Sequence, residues 1–381
     1  MDEVAAPGLA SEPAPSVFRA RLDRAKRFYE AHEPSCTVAF FVAGFLFDTL
    51  FVGRIDHLHN ILHQASYLFL CALFISLELR ELYGKFAPPP RFKAAWRYQA
   101  GATHFMLGTL LNIYTLFYFK SASMWTSFAF LLVLAALLAV NELKPFANSA
   151  TTMRMGLFSM CLISYFTYLV PVLVGSIGVL PFLGSMLGAS ACAALLFWRL
   201  SLRMPDQPHV LVRHVALPFT GILMGFSALY FLRVLPPVPL SISAMGVYHD
   251  VRREGDRFAL TMTRSRWRFW ERGDQTFLAR PGDAIYCFVS VFSPTRFKEE
   301  LRVRWALRDP ARGWEESDDI PLGISGGRDL GWRSFTAKRH YSPGRWRVRI
   351  ETSDRRELGR LEVEVVPDAE TGPRAARVVW K

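Results

Sequence analysis

Asp48 stands in the apolar run Phe45-Leu-Phe-Asp-Thr-Leu-Phe51. Placing an ionisable side chain in hydrocarbon costs about 2.5–3.5 kcal/mol, so such a residue calls for a polar partner. Antiparallel helices would bring His63, Gln64 and Asn112 to a similar depth. A cluster of Asp48, His63, Gln64 and Asn112 has the chemistry for moving a proton or an ion. Its plainer role is hydrogen bonding between helices, and that is the role expected. Just beyond, Asp56, His57, His59 and His63 crowd into one short stretch. His59 and His63 are four apart, share a helix face and have a spacing that can chelate zinc or copper. A further ligand at a diagnostic spacing is missing, so no cofactor is expected.

Other catalytic chemistry is sparse. There is no CxxC, and His249 and His340 stand apart from other candidate groups. The acidic run Glu315-Glu-Ser-Asp-Asp319 reads as a solvated loop rather than paired catalytic carboxylates. Of five cysteines, Cys36, Cys71, Cys161 and Cys192 lie in apolar runs. Only Cys287 lies in the polar C-terminal part, which therefore has no internal disulfide.

The elements that must position these residues fall into two unlike halves. The mean hydropathy of +0.17 averages over both. After Leu240 the chain is shorter but holds 27 of the 45 Lys and Arg residues. Before it, apolar runs at 35–53, 61–82, 100–119, 123–141, 155–174, 177–198 and 212–234 are each long enough to cross a hydrocarbon core of about 30 Å. Lys and Arg crowd alternate connections, with only Arg54 and Lys120 in the others. The positive-inside rule then puts the N-terminus in the cytoplasm and, with seven spans, the C-terminal part outside. This topological bias explains the basic residues before Leu240, and those after it are nearly all Arg and scattered rather than clustered, so a pI near 9.7 does not call for nucleic acid. Residues 1–16 have no apolar core and read as a disordered tail without a signal peptide. Residues 17–30 form a basic amphipathic pattern suited to an anionic inner leaflet. Gly184–Gly188 and Gly221–Gly225 are GxxxG pairs that let helices approach closely, within the chain or between copies.

From Ser241 the period changes to two. Trp346, Val348 and Ile350 alternate with Arg345, Arg347 and Arg349, and Leu361, Val363 and Val365 alternate with Glu362 and Glu364. Half-buried antiparallel strands give this pattern. Strands are expected at 242–250, 257–263, 265–271, 284–292, 301–308, 331–339, 345–352 and 358–366, as in an Ig-like sandwich. The last two should form a hairpin with the Arg row against the Glu row, and that cross-strand pairing is the preferred account of those arginines. The alternative is an anion-binding face made of Arg345, Arg347 and Arg349 with Arg266, Arg268 and Trp270. Alternation predicts that Trp267 and Phe269 enter the core.

Val303-Arg-Trp305, Ile320-Pro-Leu-Gly-Ile324, Gly331-Trp-Arg-Ser334, Pro343-Gly-Arg-Trp-Arg-Val348 and Leu358-Gly-Arg-Leu-Glu-Val363 together resemble the bacterial family known as domain of unknown function 2914. The resemblance covers roughly 285–366. It implies a small β-domain in a bacterial envelope protein, with no known activity and no site residues to carry over.

The expected architecture is thus an α-helical polytopic bundle of about seven spans followed by an all-β, Ig-like sandwich. Its parts are a tail and basic helix at 1–34, spans over 35–234, a Pro-rich linker at 235–241, the sandwich at 242–367 and a tail at 368–381. The expected function is non-enzymatic: an inner-membrane protein whose periplasmic sandwich binds an envelope component or a partner protein. Besides the lipid bilayer, a second copy is a candidate partner. A transporter built around Asp48 and an intramembrane enzyme acting on lipid-linked substrates are the rivals.

Overall fold

A computed structural model describes residues 57–123, 132, 151–268, 270–294, 297–325, 331–370 and 372–381. The N-terminal half is helical: α1 (Leu58–Leu82), α2 (Gln99–Ser121), α3 (Thr151–Val174), α4 (Val179–Arg203) and α5 (Pro208–Phe231). α3 packs against the other four. It is the most buried, with 67% of its apolar window inside, against 22–33% for α1, α4 and α5. The others turn Phe69, Leu180 and Leu187 outward. Apolar surface on this scale suits lipid rather than water.

Among the described residues, four helices are long and apolar enough to cross a membrane, namely α1, α3, α4 and α5. The expectation of seven is thus not met there. The run at 100–119 does form a helix, α2, but Gln99, Thr103, His104, Thr109, Asn112, Thr115 and Lys120 dilute its apolar character. The runs at 35–53 and 123–141, and the 1–34 tail and helix, lie outside the described residues. The turn expected between 174 and 178 is present. α3 stops at Val174, and Gly175 and Gly178 take φ of 79° and 127°, a region that favours glycine. α5 opens with a π-turn at Val212–Ala216. Pro218 cannot donate to the carbonyl of residue 214, and the wider turn relieves that position.

The two GxxxG pairs separate. A Cβ on Gly188 would sit 2.8 Å from the Phe166 ring of α3, and one on Gly184 would touch Val170. Among the described residues, nothing lies within 4 Å of a Cβ built on Gly221 or Gly225. The first pair is therefore a packing notch for α3, and the second faces outward.

The C-terminal half is all β. Among the described residues the strands are β1 (Ser241–Tyr248), β2 (Asp250–Glu254), β3 (Arg257–Met262), β4 (Thr276–Ala279), β5 (Ile285–Phe292), β6 (Lys298–Asp309), β7 (Gly313–Ser325), β8 (Trp332–Lys338), β9 (Gly344–Thr352), β10 (Glu357–Pro367) and β11 (Arg377–Trp380). They form three sheets, ordered β1-β5-β8, β4-β10-β9-β6-β7 and β11-β3-β2. One core joins the first two: Met245, Val247, Cys287, Val289 and Val291 meet Val303, Trp305, Val348, Ile350, Leu361 and Val363. Phe288, on the opposite face of β5, packs instead with Val251, Phe258 and Leu260 of the third sheet. The period of two along β5 thus serves two cores.

Several expectations need correction. The stretch 265–271 is a loop, because its aromatics alternate with arginines that have no cross-strand partners, and Trp267 is 85% exposed rather than in the core. Phe269 lies outside the described residues. The acidic run 315–319 is strand, not loop: it belongs to β7, where Arg302, Arg304, Arg349 and Lys338 neutralise it. The supposed tail at 368–381 supplies β11, paired with β3. Gly188→Leu should destabilise the detergent-solubilised protein by about 1–3 kcal/mol through overpacking against Phe166, while Gly221→Leu should leave the thermal midpoint unchanged. Equal midpoints for the two variants would refute this division of roles.

Candidate functional site

Three of the four residues expected to form the intramembrane polar cluster are among the described residues. Gln64 is buried and accepts a hydrogen bond from the Tyr168 hydroxyl at 2.9 Å. His63 is half-buried, with its ring 4.3 Å from that of Tyr67. Asn112 lies on α2. Asp48 lies outside the described residues. His57 and His59 are exposed, and the His59 and His63 ring centroids are 6.4 Å apart. No group of three His, Cys, Asp or Glu among the described residues is placed to hold a metal ion; Asp56 is outside them. At the other end of the bundle, Glu78 pairs with Arg154 and accepts from Thr151 at 3.1 Å. His214, in the π-turn, meets Thr152 and, at 3.4 Å, the Tyr83 hydroxyl.

A polar site that the sequence did not announce lies at the junction between helices and sheets. Arg356 is buried in the turn between β9 and β10. Its guanidinium lies 4.2 Å from the Tyr230 ring centroid, donates to the Tyr230 hydroxyl at 2.8 Å and donates to Asp354 at 2.9 Å. Burial by itself would raise the Asp354 carboxyl, but Arg356 outweighs it and holds the group below the usual range. The Tyr230 ring stacks on Phe182 of α4 at 3.7 Å. Beside them, the Lys298 amide donates to the Gly175 carbonyl at 3.1 Å, and the Ile177 amide to Glu299 at 3.2 Å. Ser123 donates to Glu357 at 2.5 Å, and Glu357 is held in turn by Arg360. All of Leu235–Leu240, expected as a linker, is buried here. The remaining cavity, lined by Thr167, Phe182, Tyr230, Pro236 and Arg356, is about 20 Å³, room for a single water.

The proposed anion face divides. Arg347 pairs with Glu362 at 2.7 Å, its cross-strand neighbour, and stacks on Trp314 at 3.8 Å. Arg349 pairs with Glu316 at 2.6 Å and Glu351 at 3.1 Å. Arg345 is exposed opposite Glu364. The strand arginines are thus mostly spent on carboxylates. Arg266, Arg268 and Trp270 are not with them: they sit, exposed, on the loop between β3 and β4.

That loop is anchored by Asp274, which is 1% exposed and accepts from the Thr263 and Arg264 amides at 3.0 and 2.7 Å. His249, taken from sequence as isolated, lies 3.7 Å from Asp274 and stacks on Phe277 at 4.1 Å. The pair was missed because 25 residues of chain separate its members and no periodicity links them. Gly323-Ile-Ser-Gly-Gly327 has the spacing of a nucleophile elbow, but that device needs a strand-to-helix turn. Ser325 closes β7, paired with Lys298 of β6.

Burial, helped by Arg374, lowers His249 from 6.5 to about 4. The fold therefore holds the neutral ring. Stability that is fully present above pH 6.5 should be lost as pH falls through about 4. His249→Gln should flatten the acid slope of the denaturation midpoint between pH 6.5 and 4 relative to wild type; parallel slopes would contradict this assignment.

No curated protein matches the sequence. Among solved structures, an immunoglobulin-like protein from Pseudomonas aeruginosa aligns at 12% identity over 34% of this chain and 98% of its own, with a TM-score of 0.21. A β-glucosidase from Listeria innocua in complex with gluconolactone aligns at 14% identity over 31% of this chain and 17% of its own, with a TM-score of 0.19. Likenesses at this level establish neither fold nor function. The sequence match is firmer in its place: residues 298–365, from the start of β6 into β10, match the family described as "Protein of unknown function (DUF2914)".

Proposed function

We propose that the chain is a non-enzymatic inner-membrane protein whose bundle of about seven spans presents an Ig-like β-sandwich in the periplasm, where the sandwich binds an envelope component or a partner protein. The observation that carries this reading is the closed junction, in which Arg356, Tyr230 and Phe182 tie the sheets to α4 and α5. A domain fixed in this way is presented in one orientation, and binding to it costs less ordering entropy than binding to a tethered one. The outward apolar surfaces of the helices and the alternation of Lys and Arg among the connections support the membrane placement. The core shared by the three- and five-stranded sheets supports the sandwich.

Orientation is tested by paired fusions. A C-terminal alkaline phosphatase should be active and a C-terminal green fluorescent protein, exported unfolded, should be dark. The reverse pair would place the β-domain in the cytoplasm. Rigid presentation is tested by spin labels on Cys192, which is exposed, and on Glu315→Cys, in a Cys36→Ser background. One narrow distance distribution is expected, broadening in Arg356→Ala, which takes the cation away from the half-buried Asp354 carboxylate and from the Tyr230 hydroxyl. A broad distribution in the parent would overturn the reading.

A further inference from the structure

The loop between β3 and β4 exposes two indoles, with Trp267 at 85% and Trp270 at 67%. Large exposed aromatics usually belong to flexible or interfacial segments, yet this loop is tied down. Asp274 accepts the Thr263 and Arg264 amides at its start. The Arg264 guanidinium donates to the carbonyls of Arg268 and Glu271 across its width. At its end the Asp274 amide donates to the Val247 carbonyl at 2.7 Å. Gly273 takes φ 77°, and a Cβ there would lie 2.1 Å from the Val247 oxygen, so only glycine lets the loop seat against β1. Side chains held outward in this manner are preorganised for a ligand.

Charge and ring faces narrow the ligand. Residues 263–274 hold four arginines against Glu271 and Asp274. Asp274 is buried under the loop, and Glu271 lies 3.5 Å from Arg268. The exposed face is cationic, which selects for an anion. The two exposed indoles beside these arginines offer flat apolar faces on which the rings of a sugar can stack, so an anion carried on a sugar ring fits both features.

We propose that the described residues of this loop, 263–268 and 270–274, are a preformed site for an acidic polysaccharide, in which sugar rings stack on Trp267 and Trp270 and carboxylates pair with Arg266 and Arg268. This rests on the reading that the β-domain binds an envelope component, and it names the class of that component.

The test uses the full chain in nanodiscs of neutral lipid, titrated with four probes: polygalacturonate, dextran, polyglutamate and phosphatidylglycerol vesicles. Polygalacturonate should bind, quenching tryptophan fluorescence. Trp267→Ala should weaken it about tenfold, equivalent to ~1.4 kcal/mol, and Arg266→Ala with Arg268→Ala by a similar factor. These side chains are exposed, so thermal midpoints should not move. Equal binding of polyglutamate, with no loss in Trp267→Ala, would reduce the site to a cationic patch and overturn the proposal. Preference for dextran would remove the anionic part, and preference for vesicles would replace the glycan with lipid; either overturns it. Failure of the underlying reading is seen separately. A photo-crosslinking residue placed at Arg345 or Trp380 in cells would then give no adduct with any envelope component, whereas a wrong ligand class leaves such adducts intact while polygalacturonate fails to bind.

Discussion

A single buried guanidinium joins the two halves of this molecule. Arg356 leaves water at the boundary between a helical bundle and a β-domain, and a charge in that position is tolerated only with full compensation. Asp354 supplies the countercharge, while Tyr230 supplies a hydroxyl acceptor and a ring face. Tyr230 is in turn clamped by Phe182, so α4 and α5 are held through one residue of a β-turn. The backbone amides of Lys298 and Ile177 add two further bonds at the same junction. Losing the cation would leave a half-buried carboxylate and a loosened hydroxyl together.

The β-domain follows the same economy of charge on a larger scale. Arg304 is buried in the five-stranded sheet and meets Glu351 at 3.0 Å, Glu316 at 3.0 Å and Asp319 at 3.3 Å. Burial raises the Glu351 carboxyl even though Arg349 and Arg304 oppose it. The apolar core on the other face of these strands offsets such costs: Trp305, Val303, Val348 and Ile350 are all essentially inaccessible. With Arg347, Arg349 and Arg304 paired to carboxylates, Arg266 and Arg268 of the β3–β4 loop present an exposed cationic surface. Within the helical half, Gln64 pairs with Tyr168 and Glu78 with Arg154.

What the sequence determined by itself were features set by local chemistry and period. Apolar length placed α1, α3, α4 and α5, and the two glycines near 175–178 marked the turn between α3 and α4. Alternation located β1, β3, β5, β6, β8, β9 and β10, and predicted Arg347 opposite Glu362, which the β9–β10 register bears out. The match over 298–365 covers the strands where that alternation is most regular. Tertiary structure decided whatever depended on partners distant in the chain. Glu78 met Arg154, 76 residues away. His249 met Asp274, and β7 and β11 became strands because β6 and β3 offered them edges. Gly188 became a notch because Phe166 lies opposite, while Gly221, identical in motif, has no such neighbour. Trp267 stayed out of the core because the Asp274 anchor bends its segment into a loop. The junction was illegible for the same reason: Tyr230 and Arg356 are 126 residues apart, and no periodicity encodes a contact that exists only once two separately folded layers have met.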